Sequence, residues 1–225
     1  MSKSGRLATS LGLFLVVAAL VVWGVASLLT PGTPGGELNF TNTQAAGQPV
    51  NLTVQTVGAI GFGPHPTWVS YLTKDPRSGQ WIQDNTWVLP ANTVINMTVL
   101  QYDSGSPLRN QQFGQVQGTI GGVATDNGTT YSVVNSNLGN GVGHTFAVPE
   151  LGLIVPLPGA GGNICGAGPC QTSSPHNTVT FSFKTPGPGN YHWQCFVPCG
   201  VGYLFGNGGG MSTENYMGGF LDVVR

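Results

Sequence analysis

A small set of side chains in the last third of this chain could hold a soft metal ion. Cys195 and Cys199 lie four positions apart in Tyr191-His192-Trp193-Gln194-Cys195-Phe196-Val197-Pro198-Cys199-Gly200. Met211 and Met217 follow, and His144 stands upstream. Thiolate and thioether sulfur select copper over hard cations, and imidazole adds a nitrogen donor. A lone Cys-x-x-x-Cys is a weak signal, and the pair could equally be a disulfide closing a small loop. The company of His144, Met211 and Met217 tips the reading toward ligation. Cys165 and Cys170 frame a Gly-rich turn, Gly166-Ala167-Gly168-Pro169. A disulfide there would pin an otherwise loose insertion in an exported domain.

Each candidate has a plainer reading. His144 could be a core histidine donating to a backbone carbonyl. Met211 and Met217 could fill gaps in the core, and Trp193, Tyr191 and Met97 read as core packing. Along a strand His192 points away from Tyr191, Trp193 and Cys195. His176 and His65 fall in loops. Asp103 and Glu150 are lone carboxylates without a visible partner and are given no catalytic weight. No Ser-His-Asp arrangement, phosphate loop or dinucleotide fingerprint is present.

These residues need a scaffold, and the sequence points to short strands. Val50–Val57 alternates with a period of two, as a half-buried strand does. Thr93–Tyr102 alternates again. Trp68–Leu72, Thr86–Leu89, Gln115–Val123, Thr129–Val134, Thr145–Val148, Leu153–Val155, Thr178–Lys184, Tyr191–Cys195 and Phe220–Val224 complete the expected set. Turn-rich spacing of this kind argues for a β-sandwich or barrel. The 36 glycines and 16 prolines fit such turns. Only 7% of residues are charged, against about 25% in ordinary soluble domains. The net charge of −1 leaves no footprint for nucleic acid.

The N-terminus reads differently. Lys3 and Arg6 precede an uncharged run from Leu7 to Thr30. About 20 apolar residues span a bilayer core, and a signal peptide has an apolar region of only about 7–15 residues. The expectation is therefore an uncleaved transmembrane anchor over residues 1–30, with its basic end in the cytoplasm. Residues 31–36 form a linker, and residues 37–225 form a domain on the extracellular or periplasmic side of the cell membrane. Four sequons, at Asn39, Asn51, Asn96 and Asn127, could carry glycans there.

Several stretches resemble cupredoxins. Gly143-His144-Thr145-Phe146-Ala147-Val148 is similar to the His-x-Phe motif that brings in the first histidine ligand. Thr180–Lys184 and Gly189–Cys195 resemble the region ending in the copper cysteine. Cys195-Phe196-Val197-Pro198-Cys199-Gly200-Val201-Gly202 closely resembles the copper A loop of cytochrome c oxidase subunit II. The match covers about Gly143–Val224 and the anchor arrangement. It implies an all-β, cupredoxin-like Greek-key β-sandwich behind one N-terminal transmembrane helix. It also implies copper held by His144, Cys195, Cys199 and Met217, with Met211 and Tyr203 as alternates.

The chain departs from the family pattern in two places. Tyr203 stands where the second histidine belongs, and Gly206 stands where the methionine belongs. A phenol titrates near pH ~10 and is a poor substitute for imidazole. Met217, after the insertion Asn207–Tyr216, keeps the place just before the closing strand.

Three sites follow from the resemblance: one copper on the four soft ligands, a degenerate dinuclear centre, or a metal-free domain with Cys195 joined to Cys199. Quinol-type oxidase subunits resembling this family have lost copper while keeping the fold. One ion is expected rather than two. The implied role is electron transfer at the outer membrane face, beside a heme-copper oxidase core subunit or another redox protein. The alternatives are Cu(I) storage or delivery and a structural or assembly role. Whether the chain belongs to an enzyme is left open: no catalytic site of its own is expected, and the resemblance implies the role of an electron-accepting subunit of a terminal oxidase.

Overall fold

The structure, a computed structural model, describes residues 3–29, 36–45, 47–199 and 209–225. The chain divides into two compact units, Met1–Thr33 and Pro34–Arg225.

The first unit is helix α1, Lys3–Leu29. Its side chains are described over residues 12–25, and Leu13, Phe14, Val22 and Trp23 are all exposed. Among the described residues, no helix is long and apolar enough to cross a membrane. Much of the run expected to do so, residues 7–11 and 26–30, lies outside the described side chains.

The second unit is built of strands: β1 (Glu37–Asn39), β2 (Val50–Val57), β3 (Ser70–Lys74), β4 (Trp81–Ile82), β5 (Thr86–Pro90), β6 (Val94–Gln101), β7 (Ala124–Asp126), β8 (Thr129–Tyr131), β9 (Val142–Val148), β10 (Leu153–Pro158), β11 (Asn177–Lys184), β12 (Gly189–Gln194) and β13 (Gly218–Val224). One sheet runs β1-β5-β13-β12-β9-β10 and the other β4-β3-β2-β6-β11-β7-β8. The chain passes repeatedly from sheet to sheet, so β2 and β6, and likewise β5 and β13, become parallel neighbours.

Period-two alternation turns one face of each sheet inward. Leu52 and Val54 of β2, Met97 and Val99 of β6 and Phe181 and Phe183 of β11 meet Trp87, Phe146, Trp193 and Leu221 of the other sheet in one apolar core. Trp87 stacks on Trp193 at 5.1 Å between centroids, and Phe146 packs against Phe181 and Phe183. Such aromatic contacts add to plain area burial. Strand β9 is buried at every position, because β10 and β12 flank it and the core covers it.

Most expected strands form, with ends shifted by a residue or a few. Trp68 and Val69 precede β3 rather than open it. The expected strand Gln115–Val123 does not form. Gln115 and Gln117 make isolated bridges, and Ile120–Gly122 is a 3-10 turn. The cause is local: Gly118 and Gly121 take left-handed φ of 71° and 82°, which a strand cannot hold.

Cys165 and Cys170 are joined as a disulfide. The loop they close packs on a second apolar cluster around Val57, Leu72 and Tyr102. The Cys170 N–H donates to Gln55 Oε1 at 2.7 Å, fixing the loop to β2.

Candidate metal centre

Strand β9 carries His144, and β12 runs straight into Cys195. A single backbone contact, Gln194 against Ala147, sets the two strands edge to edge. Just past it the Cys195 N–H donates to the Met217 carbonyl at 2.9 Å. There β12 and β13 part, and the chain runs on from Cys195 to Cys199.

Within that fork three donors converge. His144 Nδ1 is 2.8 Å from Cys199 Sγ and 3.9 Å from Cys195 Sγ, and the two sulfurs are 3.3 Å apart. Their ligand atoms all lie within 4.8 Å of one another, and all three residues are buried. Cys195 and Cys199 are free thiols, so the disulfide reading of this pair is set aside.

The surroundings hold this geometry. The Thr145 N–H donates to Cys195 Sγ at 3.3 Å, and the Phe196 N–H donates to Thr145 Oγ1 at 2.7 Å. The Tyr71 hydroxyl donates to the Thr145 carbonyl at 3.0 Å, and its ring packs edge-on against both His144 and Trp193. On the loop side, Phe196 stacks on Phe113.

Asp103 joins the centre although nothing in its sequence neighbourhood marks it. Its Oδ2 lies 3.1 Å from His144 Nε2. It is therefore not a lone carboxylate, and His144 is not bonded to a backbone carbonyl. Nothing local marks the pairing, because the partners are 41 positions apart.

The charges follow from this contact pattern. Burial opposes ionisation of Cys195. Hydrogen bonds from Cys199 and His144, the imidazolium charge and the Thr145 N–H outweigh it and hold this thiol well below its ordinary value. Burial and the neighbouring Cys195 thiolate push Cys199 well above its own. Burial would lower His144, but Asp103 and Cys195 prevail and it is pushed up to about 9. Burial would raise Asp103, but His144 and Ser104 hold it low. Burial, and then negative charge on the neighbouring Cys195 and Cys199 sulfurs, raise Tyr71, which stays a neutral phenol. Without a metal, these shifts favour a thiolate on Cys195 beside an imidazolium on His144, with the proton of the pair of thiols kept on Cys199.

The other expected ligands are placed unequally. Met217 is fully buried in the core cluster that contains Cys195 and Cys199. Met211 is partly buried, and its carbonyl accepts from the Gln194 side chain at 2.8 Å. It lines a surface pocket with His192, Glu214 and Phe220, on the side of β12 away from Trp193. Tyr203 lies outside the described residues. His192 is exposed, His65 stacks on Trp68 at 3.7 Å, and His176 packs on Tyr102.

The Met217 segment is tied down from below. Asn85, fully buried ahead of β5, donates its backbone N–H to Asn215 Oδ1. Its amide donates to the Asn215 and Tyr216 carbonyls. Its own carbonyl accepts from the Trp193 indole at 2.9 Å.

The sequons differ in setting. Asn39 Oδ1 accepts from both the backbone and the hydroxyl of Thr41. Asn51 and Asn96 are register partners on β2 and β6, with Asn96 Nδ2 donating to Asn51 Oδ1. Asn127 sits at a turn with φ of 49°.

No protein-family model matches the sequence, and no curated protein matches it significantly. Among solved structures, a chain of a heme-copper terminal oxidase dimer aligns over 100% of both chains, at 13% identity and a TM-score of 0.36. Rusticyanin from Thiobacillus ferrooxidans aligns over 88% of this chain and 90% of its own, at 15% identity and a TM-score of 0.35. Reduced rusticyanin aligns over 89% and 92%, at 15% and 0.36. Scores this low carry no argument about what the chain does.

Proposed function

We propose that this chain is a cupredoxin-like copper protein that carries single electrons at the outer face of a membrane. The observation that carries the reading is the convergence of His144 Nδ1 with the Cys195 and Cys199 sulfurs in one buried pocket. The donor set is soft, as copper prefers. Apart from Asp103, Thr145 and longer contacts from the sulfurs to the Val197 and Gly143 carbonyls, the polar contacts of these side chains are to one another. That suits them to hold an ion between them. Met217, buried in the same cluster, is the thioether that would complete the set.

Copper would supply a one-electron couple. The chain's own part is to exclude water, hold the donors and tune the thiolate. Burial of all three donors does the first. The β9–β12 contact and the Asn85 tie do the second, because a packed sandwich resists displacement. The Thr145 N–H on Cys195 Sγ does the third by withdrawing charge from the sulfur.

The uncharged run from Leu7 to Thr30 supports membrane anchoring through α1, with the β-domain outside. An oxidase core subunit fits as partner under this reading. Pelleting of the full chain with membranes, resistant to alkaline carbonate, and release of a chain starting at residue 34 would support the anchor. Recovery of the full chain in the soluble fraction would refute it.

For the copper centre, the oxidised, copper-loaded chain should show intense visible sulfur-to-copper charge transfer. Cys195→Ser should abolish the band and Cys165→Ser should leave it. A second reading, Cu(I) storage or delivery, is favoured by the two sulfurs in the set. It predicts tight Cu(I) binding without a stable coloured form. Reversible redox cycling without metal loss would exclude it.

A further inference from the structure

We propose that Asp103 is the positioning residue of the centre, fixing which imidazole nitrogen of His144 faces the metal. The role rests on the copper reading for its functional meaning, but the geometry stands without it. His144 divides its two nitrogens. Nε2 meets Asp103 Oδ2 at 3.1 Å, and Nδ1 turns to Cys199 Sγ at 2.8 Å. A ring that donates its Nε2–H to a fixed carboxylate has Nδ1 left as the lone-pair donor.

Asp103 is itself held on several sides. Its Oδ1 accepts from the Ser104 N–H at 2.8 Å, and its own N–H donates to Gln101 Oε1 at 3.1 Å. Its carbonyl accepts from the Ala160 N–H at 2.9 Å. Gln101 is fully buried, and its Oε1 also accepts from the Thr56 hydroxyl. The Gln101 amide sits flush against Gly143, where a Cβ would come within 2.0 Å of Nε2. Gly143 immediately precedes His144. One support therefore braces both the backbone that carries the imidazole and the carboxylate that aims it.

Asp103 has a second consequence. Its side chain is 13% exposed against 1% for His144, so a carboxylate at the edge of the site places negative charge one imidazole away from the donors. That charge favours the higher oxidation state of a metal bound at Nδ1.

The test uses the full chain with D103N and D103L. The first keeps a hydrogen-bond acceptor without the charge, and the second keeps neither. In the reduced, copper-free protein, imidazole-selective nitrogen–proton NMR should show a slowly exchanging Nε2 proton in the parent. D103N should keep that signal and D103L should lose it. In the copper-loaded protein, D103L should weaken copper binding by roughly 10–100-fold in chelator competition, D103N by less, and both should raise the reduction potential. A parent-like Nε2 proton in D103L, or a parent-like potential in both variants, overturns the proposal. If D103L does not fold, the potential of D103N decides alone. If the parent binds no copper, the copper reading falls, and the Nε2 proton still decides whether Asp103 positions the ring.

Discussion

The Cys195 and Cys199 sulfurs stand 3.3 Å apart with no bond between them. One is stabilised as a thiolate and the other is held as a thiol. Cys165 and Cys170, by contrast, form a disulfide. Thiol labelling of the unfolded, unreduced chain should therefore find Cys195 and Cys199 reactive and the other two silent. Copper loading before labelling of the folded chain should protect the reactive pair. Labelling of Cys165 and Cys170 in the unreduced chain would contradict the assignment.

The tie between Asn85 and the Met217 segment should be costly to cut. Asn85→Ala strands the Asn215 carbonyl, which its amide serves inside the core, and leaves the buried Thr73 hydroxyl without its acceptor. A buried polar group left unsatisfied costs about 1–3 kcal/mol. Chemical denaturation should show a loss of at least this size, and the visible spectrum of the copper-loaded variant should broaden as Met217 loosens. An unchanged midpoint would mean that the loop is held elsewhere.

Gly219 allows β13 to approach Asn85. A Cβ there would lie 2.0 Å from the Asn85 carbonyl oxygen, which is backbone and cannot swing away. Gly219→Ala should destabilise the domain by about 1–3 kcal/mol, as overpacking does. Gly166→Ala, where a Cβ meets nothing within 4 Å, should be close to neutral. Equal melting temperatures for the two variants would refute the steric argument.

Asp84 gives the domain an unusual pH response. The residue is 6% exposed, and its Oδ1 has no hydrogen-bond partner. Burial first, then the nearby carboxylates Glu37 and Glu214, push it up to about 6 against the Thr86 N–H. An unfolded aspartate titrates near ~3.9, so between these values the folded chain binds the extra proton. The stabilisation is present in full below about pH 4 and is lost as pH rises through about 6. Asp84→Asn should flatten this slope and gain on the order of 1–2 kcal/mol at pH 7. The check is thermal unfolding of both proteins across this range. A parent-like slope in the variant would place the titration in another group.

Legibility in the sequence followed physical range. Strands β2 and β6 could be read because half-burial imposes alternation on eight consecutive residues. Strands β1, β4 and β7 could not, since two or three residues carry no period and are held by their sheet neighbours. Gln115–Val123 misled because its alternation hides three glycines, Gly118, Gly121 and Gly122, at left-handed φ. Of the centre, the His144, Cys195 and Cys199 convergence was legible as a pattern of donor types. The Asp103 and Asn85 contacts were not, because each joins residues far apart in the chain through the fold alone.

Copper K-edge X-ray absorption on the copper-loaded full chain reads the donor set at the metal. Ligation by His144, Cys195 and Cys199 gives a first shell of sulfur with imidazole nitrogen, and loss of sulfur scattering in a Cys195→Ser, Cys199→Ser double variant. A first shell of oxygen and nitrogen alone, unchanged by that double substitution, would contradict it.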